Sequence, residues 1–304
     1  ALTQANKAIY DDGINFISSA SADESVAVNE LCNEEKVIHV ACSPGLGDAL
    51  SSDFPYTFQT WPEDIEAQSV ALEACKDQYP AYTTVAVIAP DNLRGQEAVA
   101  HIEEIAPTYG FNMTHSTYVA LDEVDFYPVL TPIIDADVDV LLNPGLGYAE
   151  GGQMVKQARE LGHNKSIVYT DTMDYDVVVD ITGEDALEGI IVTPQQAEMF
   201  TEAGQAWAEK YIEKYGSLQY WASYRYDELS LFKLAIEEAD SFDPDDILAV
   251  IGNVSYEGIS GETRFATNVY SPDLPRYMKM QIPAVMIQDG EMVDIYQGYS
   301  FIWD

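Results

Sequence analysis

Arg94 is a cation in a chain with 14 lysines and arginines against 52 aspartates and glutamates, so its position asks for a reason. It lies in VAVIAPDNLRGQEAVAHI, residues 85 to 102, where an apolar run reads as a buried strand, a polar turn follows, and a helix opens around Gly95. The free N–H groups of a helix start already favour an anion. A guanidinium in that loop reads in one of two ways. It is a fork holding an anionic or strongly polar ligand group through two hydrogen bonds, or it is half of a local ion pair with Asp91 or Glu97.

Spacings that would carry catalysis are missing. No G-x-S-x-G elbow, Walker loop, H-E-x-x-H or strand-linked G-x-G-x-x-G occurs. His39, His101, His115 and His163 are scattered without metal-ligand spacing, no Cys or Ser partner is suggested for them, and they read as packing or surface residues. Carboxylate pairs are too common here to mark acid–base work. NPGLGYAEGG, residues 143 to 152, follows a strand and precedes a helix as a phosphate loop does. It lacks the Lys-Ser/Thr that would hold phosphate and metal, which favours a tight strand-to-helix turn. Cys32, Cys42 and Cys75 have no zinc spacing. They read as one disulfide plus a buried thiol, the pair unassigned, or as three small buried hydrophobes. No cofactor, metal or catalytic residue is expected.

The elements that would position these residues alternate. INFISSA reads as a strand, SADESVAVNELCNEEK as a helix capped by Ser21 or Asp23, and VIHVACS as a strand. After the aromatic, proline-containing link FPYTFQTWPED come EAQSVALEACKDQYP (helix), TTVAVIAP (strand), RGQEAVAHIEEIAPTYG (helix), VDVLLNPG (strand), GGQMVKQARELG (helix) and SIVYTD (strand). LEGIIVTP is a short apolar link before the helical patterns TEAGQAWAEKYIEKYG and ASYRYDELSLFKLAIEEAD; from about residue 256 short strands take over. Repeated strand, helix, strand predicts an α/β fold with parallel sheets covered on both faces. Ligands in such sheets sit beyond the carboxyl ends of the strands, where Arg94 falls.

With 304 residues, 47% of them hydrophobic, the chain can bury one or two cores. A net charge of −38 argues against a nucleic-acid partner and against an anionic membrane surface. It suits a solvated surface in high salt or an extracellular setting. No apolar run approaches the ~20 residues that span a bilayer, and no secretion signal opens the chain. Asn112, Asn164 and Asn253 begin N-x-S/T sequons.

The series DGINFISS, VIHVACSPGLGDAL, FPYTFQTWPED, TVAVIAPDNLRGQEA, DFYPVLTPI, GQMVKQARELG, SIVYTDT, ASYRYDELSLFKLAIEEA and YEGISGETRFATN resembles, in order and spacing, the periplasmic type I solute-binding proteins. The nearest kin are the branched-chain amino acid, amide and urea binders of ABC transporters. The resemblance covers almost the whole chain, with QARELG and YRYDELSLFKLAIEEA its most telling pieces. The family's opening strand–helix–strand unit with its Ser-Gly turn has no match. Either the chain begins inside the mature protein or that unit is absent, and an absent unit would expose a sheet edge that recruits other chains.

The resemblance implies two doubly wound α/β lobes with a ligand cleft between them. The expected first lobe is residues 1–60 plus 195–270 and the second 61–194 plus 280–304, with crossings near 58–62, 190–195 and 268–282. On the first lobe, the turns at Ser21 and Asp23 and at Ser43 to Gly45 fall where the family offers hydroxyls and backbone N–H groups to a ligand carboxylate. On the second, Arg94 falls at an aromatic position, Tyr148 beside another, and Asp171 where an acid receives an α-ammonium group. The implied function is an extracellular substrate-binding protein that captures a small polar metabolite by hinge closure and hands it to an ABC transporter permease. Its location is periplasmic or extracellular, with a lipid anchor on a segment ahead of residue 1 as one option. The alternatives are the ligand-sensing module of a receptor, an amide hydrolase, or an assembly protein derived from the same fold.

Overall fold

A computed structural model describes residues 1–42, 52–171, 173–194, 201–218, 222–267 and 271–298. The chain divides into two compact units: the first holds Ala1–Glu63 and Gln196–Gln281, the second Asp64–Gln195 and Ile282–Ser300.

In the first unit a six-stranded sheet runs in the order Phe16–Ser19, Ile38–Ala41, Thr57–Gln59, Tyr277–Lys279, Gly261–Ala266, Ser255–Gly258. The first four strands are parallel neighbours and the last two pair antiparallel. Thr57–Gln59 lies inside the stretch that reads as a link. Three residues between prolines and aromatics are too few to show a period, yet all three are buried. The helix Ala22–Glu34 begins at Ser21, whose hydroxyl accepts the Glu24 N–H, while Glu24 reaches back to the Ala20 N–H. The bond from the Glu24 N–H chooses Ser21 over Asp23 as the cap.

The helix Ala222–Ala239 buries Tyr224, Asp227, Glu228, Leu231, Phe232 and Ala235, a stripe at three- and four-residue spacing. Its ring at Phe232 meets Phe58 edge-on at 5.1 Å, and Phe58 meets Phe265 at 4.9 Å, which joins the helix to the middle of the sheet. The two acids on the same buried face need partners. Asp227 accepts the N–H groups of Ile259 and Ser260 and the Tyr256 hydroxyl, tying the helix to the Ser255–Gly258 and Gly261–Ala266 hairpin.

In the second unit a seven-stranded sheet runs Glu291–Gly298, Ile282–Gln288, Ile191–Val192, Ser166–Tyr169, Val140–Asn143, Thr84–Pro90, Asn112–Val119. Ile191–Val192 through Asn112–Val119 are parallel and the other two antiparallel. Val140–Asn143 and Ser166–Tyr169 are buried throughout, as strands covered on both faces must be. Asn112–Val119 escapes the sequence reading: at the sheet edge only alternate residues are partly covered, so its polar composition conceals it.

Cys32, Cys42 and Cys75 are free and buried, which settles the open cysteine reading in favour of small core residues. His39 does have a serine partner, a correction to the sequence reading. Ser19 Oγ lies 2.9 Å from His39 Nε2, and His39 Nδ1 lies 3.3 Å from Asn29 Oδ1, all buried.

Candidate functional site

The second unit gathers its polar residues at the carboxyl ends of three parallel strands. Beyond Thr84–Pro90, Asn92 caps the helix Leu93–Ile105 by accepting the Gly95 N–H. A side chain at Gly95 is excluded, since its β-carbon would lie 2.0 Å from the Pro90 carbonyl oxygen. The glycine thus seats the first helical turn on the strand end and fixes where Arg94 starts. Beyond Val140–Asn143, the Asn143 side chain accepts the N–H groups of Gly145 and Leu146, folding the turn that leads into the helix Tyr148–Glu160. Beyond Ser166–Tyr169 comes Asp171.

Arg94 binds two carboxylates. Its Nε and Nη2 donate to Asp64 Oδ2 and Oδ1, both at 2.7 Å, and Nη2 also lies 2.9 Å from Asp171 Oδ2. Asp64 opens the helix Asp64–Gln78, and its side chain is 13% exposed against 41% for Arg94. The ion pair expected with Asp91 or Glu97 is therefore made instead with residues 30 positions before and 77 positions after. Local neighbours lose because a parallel fork-to-carboxylate approach needs the acid to face the guanidinium edge, and Asp64 does. Burial works against the Arg94 charge, but Asp64 and Asp171 outweigh it and raise the pKa.

Tyr148, at the first turn of its helix, is 41% exposed. Burial and the nearby charges of Asp171 and Asp174 raise its phenol pKa, so it stays a neutral donor at physiological pH. Of the sequence-predicted residues of the second unit, Arg94 thus meets Asp171, Asp171 lies near enough to Tyr148 to help raise its pKa, and Asp64, which the sequence reading missed, takes the rest of the Arg94 fork.

The first unit carries its own polar cluster at the ends of Phe16–Ser19, Ile38–Ala41 and Thr57–Gln59. Glu228, 1% exposed, accepts from Thr60 Oγ1 at 3.0 Å and from Arg225 Nη1 at 3.0 Å. Arg225 also donates to the Ser18 hydroxyl and, at 2.7 Å, to the Ser19 carbonyl. Burial raises the Glu228 pKa, and Arg225 and Thr60 oppose it. Ser21 is engaged as a helix cap and Asp23 is exposed in the first turn of that helix. Ser43 and Gly45 lie outside the described residues.

The three thiols are not activated as nucleophiles. Burial pushes the Cys32 and Cys42 thiols up to about 11 and Cys75 to about 12, away from the thiolate form. Among the described residues, no group of three or more His, Cys, Asp or Glu is placed to hold a metal ion, and no helix is long and apolar enough to cross a membrane.

The family model described as periplasmic binding protein matches residues 1–275. The chain belongs to that family. Solved structures share its type I fold. An amino acid ABC transporter substrate-binding protein from Pseudomonas fluorescens Pf-5 has a TM-score of 0.82 at 18% identity, covering 99% of this chain and 82% of that one. A branched chain amino acid ABC transporter ligand-binding protein from Burkholderia xenovorans LB400 has a TM-score of 0.80 at 15% identity, covering 98% and 79%. An ABC transporter solute-binding protein from Rhodopseudomonas palustris BisB5, in complex with 3,4-dihydroxy benzoic acid, has a TM-score of 0.74 at 20% identity, covering 98% and 82%. In this periplasmic binding protein both polar clusters stand at the carboxyl ends of parallel strands, the position at which doubly wound sheets receive ligands.

Proposed function

We propose that this periplasmic binding protein is the substrate-binding component of an ABC transporter, takes up a small amino acid or amide by hinge closure, and delivers it to a membrane permease. The observation that supports the reading best is Asp171, held by Arg94 and beside Tyr148 at a strand end of the second unit. An ammonium or amide group leaving water needs an opposite charge or several hydrogen-bond partners. Asp171 supplies the charge and Tyr148 an apolar wall with a hydroxyl at its tip. On the first unit, the Ser21 hydroxyl accepts from Glu24 and still has its own proton to donate to a ligand carboxylate. The protein acts as a binder, not an enzyme, in the periplasm or outside the cell. Calorimetric titration with a panel of amino acids, urea, short amides and benzoate tests this. Binding of an amino acid or amide without turnover is expected, and heat with benzoate alone would overturn it.

A further inference from the structure

In the second unit Asp64 closes one edge of the fork of Arg94, a cation that an anionic ligand group would seek. Two of the three guanidinium nitrogens are held by carboxylates. Nε and Nη2 donate to Asp64, Nη2 also meets Asp171, and Nη1 lies on the Gly145 side, 3.5 Å from where a β-carbon on that residue would stand. Gly145 holds φ +138°, a backbone that disfavours a side chain. Two carboxylates and one guanidinium leave the group with a net charge of about −1.

The geometry points to Asp64 as a specificity-determining residue: by occupying the Arg94 fork it denies that cation to ligand carboxylates, so this face selects neutral or ammonium-bearing groups. Asp171 meets Arg94 Nη2 at 2.9 Å and is steered into place by it. Arg94 is then a positioning residue, and the arginine that the sequence offers as a reader of anions is held back by a residue 30 positions earlier. The inference rests on the reading that this face touches the ligand.

The test compares two substitutions that each remove one negative charge. In Asp64→Asn the fork is released while Asp171 still balances Arg94. In Asp171→Asn the fork stays closed. Benzoate, an anion without an ammonium group, and L-glutamate are titrated calorimetrically into the full chain and both variants, with thermal melting to verify folding. Asp64→Asn should bind both anions about tenfold or more tightly than the unaltered chain, whereas Asp171→Asn should show a much smaller gain with benzoate and a loss with L-glutamate, whose ammonium group it no longer meets. Equal gains would show that net charge, not the fork, sets the preference; no gain in Asp64→Asn would also overturn the inference. The underlying reading fails separately, if Asp171→Asn leaves amino acid binding intact. Should Asp64→Asn not fold, the Arg94 Nε–H resonance of the unaltered chain provides the test. It should be unmoved by saturating amino acid, and a ligand-induced shift with loss of its protection from exchange would overturn the assignment.

Discussion

Arg225 and Glu228 stand one turn apart on the helix Ala222–Ala239 and meet at 3.0 Å, with the carboxylate 1% exposed. The pair is unlike a surface bridge because water cannot replace the arginine if it is lost. Arg225→Ala should therefore destabilise the protein by about 3 kcal/mol, the scale of breaking a buried pair, and more than the same change at exposed Lys233, whose i,i+4 partner is Glu237. Urea denaturation of both variants checks it; equal losses would contradict the buried-charge account.

The contrast between those two pairs also explains what the sequence could reveal. Regular alternation showed the strands Ile38–Ala41, Thr84–Pro90, Val140–Asn143 and Ser166–Tyr169, since a fully buried strand must be apolar along its length. Ser21 was legible as one of two candidate caps with Asp23, and the Glu24 N–H decides between them in the structure. Arg94 was legible as a loop residue at a strand end, and Asp171 only through the family resemblance. Their joining through Asp64 was not, because pairing across 30 and 77 positions leaves no local pattern, and one acid among 52 carries no mark of burial. Glu228 was hidden for the same reason, and Asn112–Val119 because an edge strand in an acidic protein tolerates polar residues on both faces.

His39 predicts a pH dependence. Burial lowers its pKa from 6.5 to about 4, so between those values the unfolded chain binds a proton that the folded chain refuses. Stability from this group is complete above pH 6.5 and falls as pH drops toward 4. The loss is up to about 3 kcal/mol. Asp227 and Glu228, whose pKa values are raised mainly by burial, push the other way, but they are common to the protein and its His39→Gln variant. Urea midpoints at pH 7 and pH 4.5 should therefore differ less in the variant. An unchanged difference would show that His39 is not held neutral.

The charge of −38 predicts a response to salt. Repulsion among surface carboxylates reaches across ~30 Å at 0.01 M salt and ~3 Å at 1 M. Melting temperature should rise between these conditions as repulsion is screened. Coincident melts would show that the fold tolerates its charge without cost.

The account turns on Asp171 as the acceptor of a ligand cation, and calorimetric titration of Asp171→Ala with the amino acids or amides bound by the unaltered chain tests it most directly. Losing the counter-charge of a buried ammonium group costs about 3–5 kcal/mol, so affinity should fall by at least a hundredfold while the melting temperature of the ligand-free protein changes little. Unchanged affinity in a folded Asp171→Ala protein would contradict the assignment of this face as the ligand site.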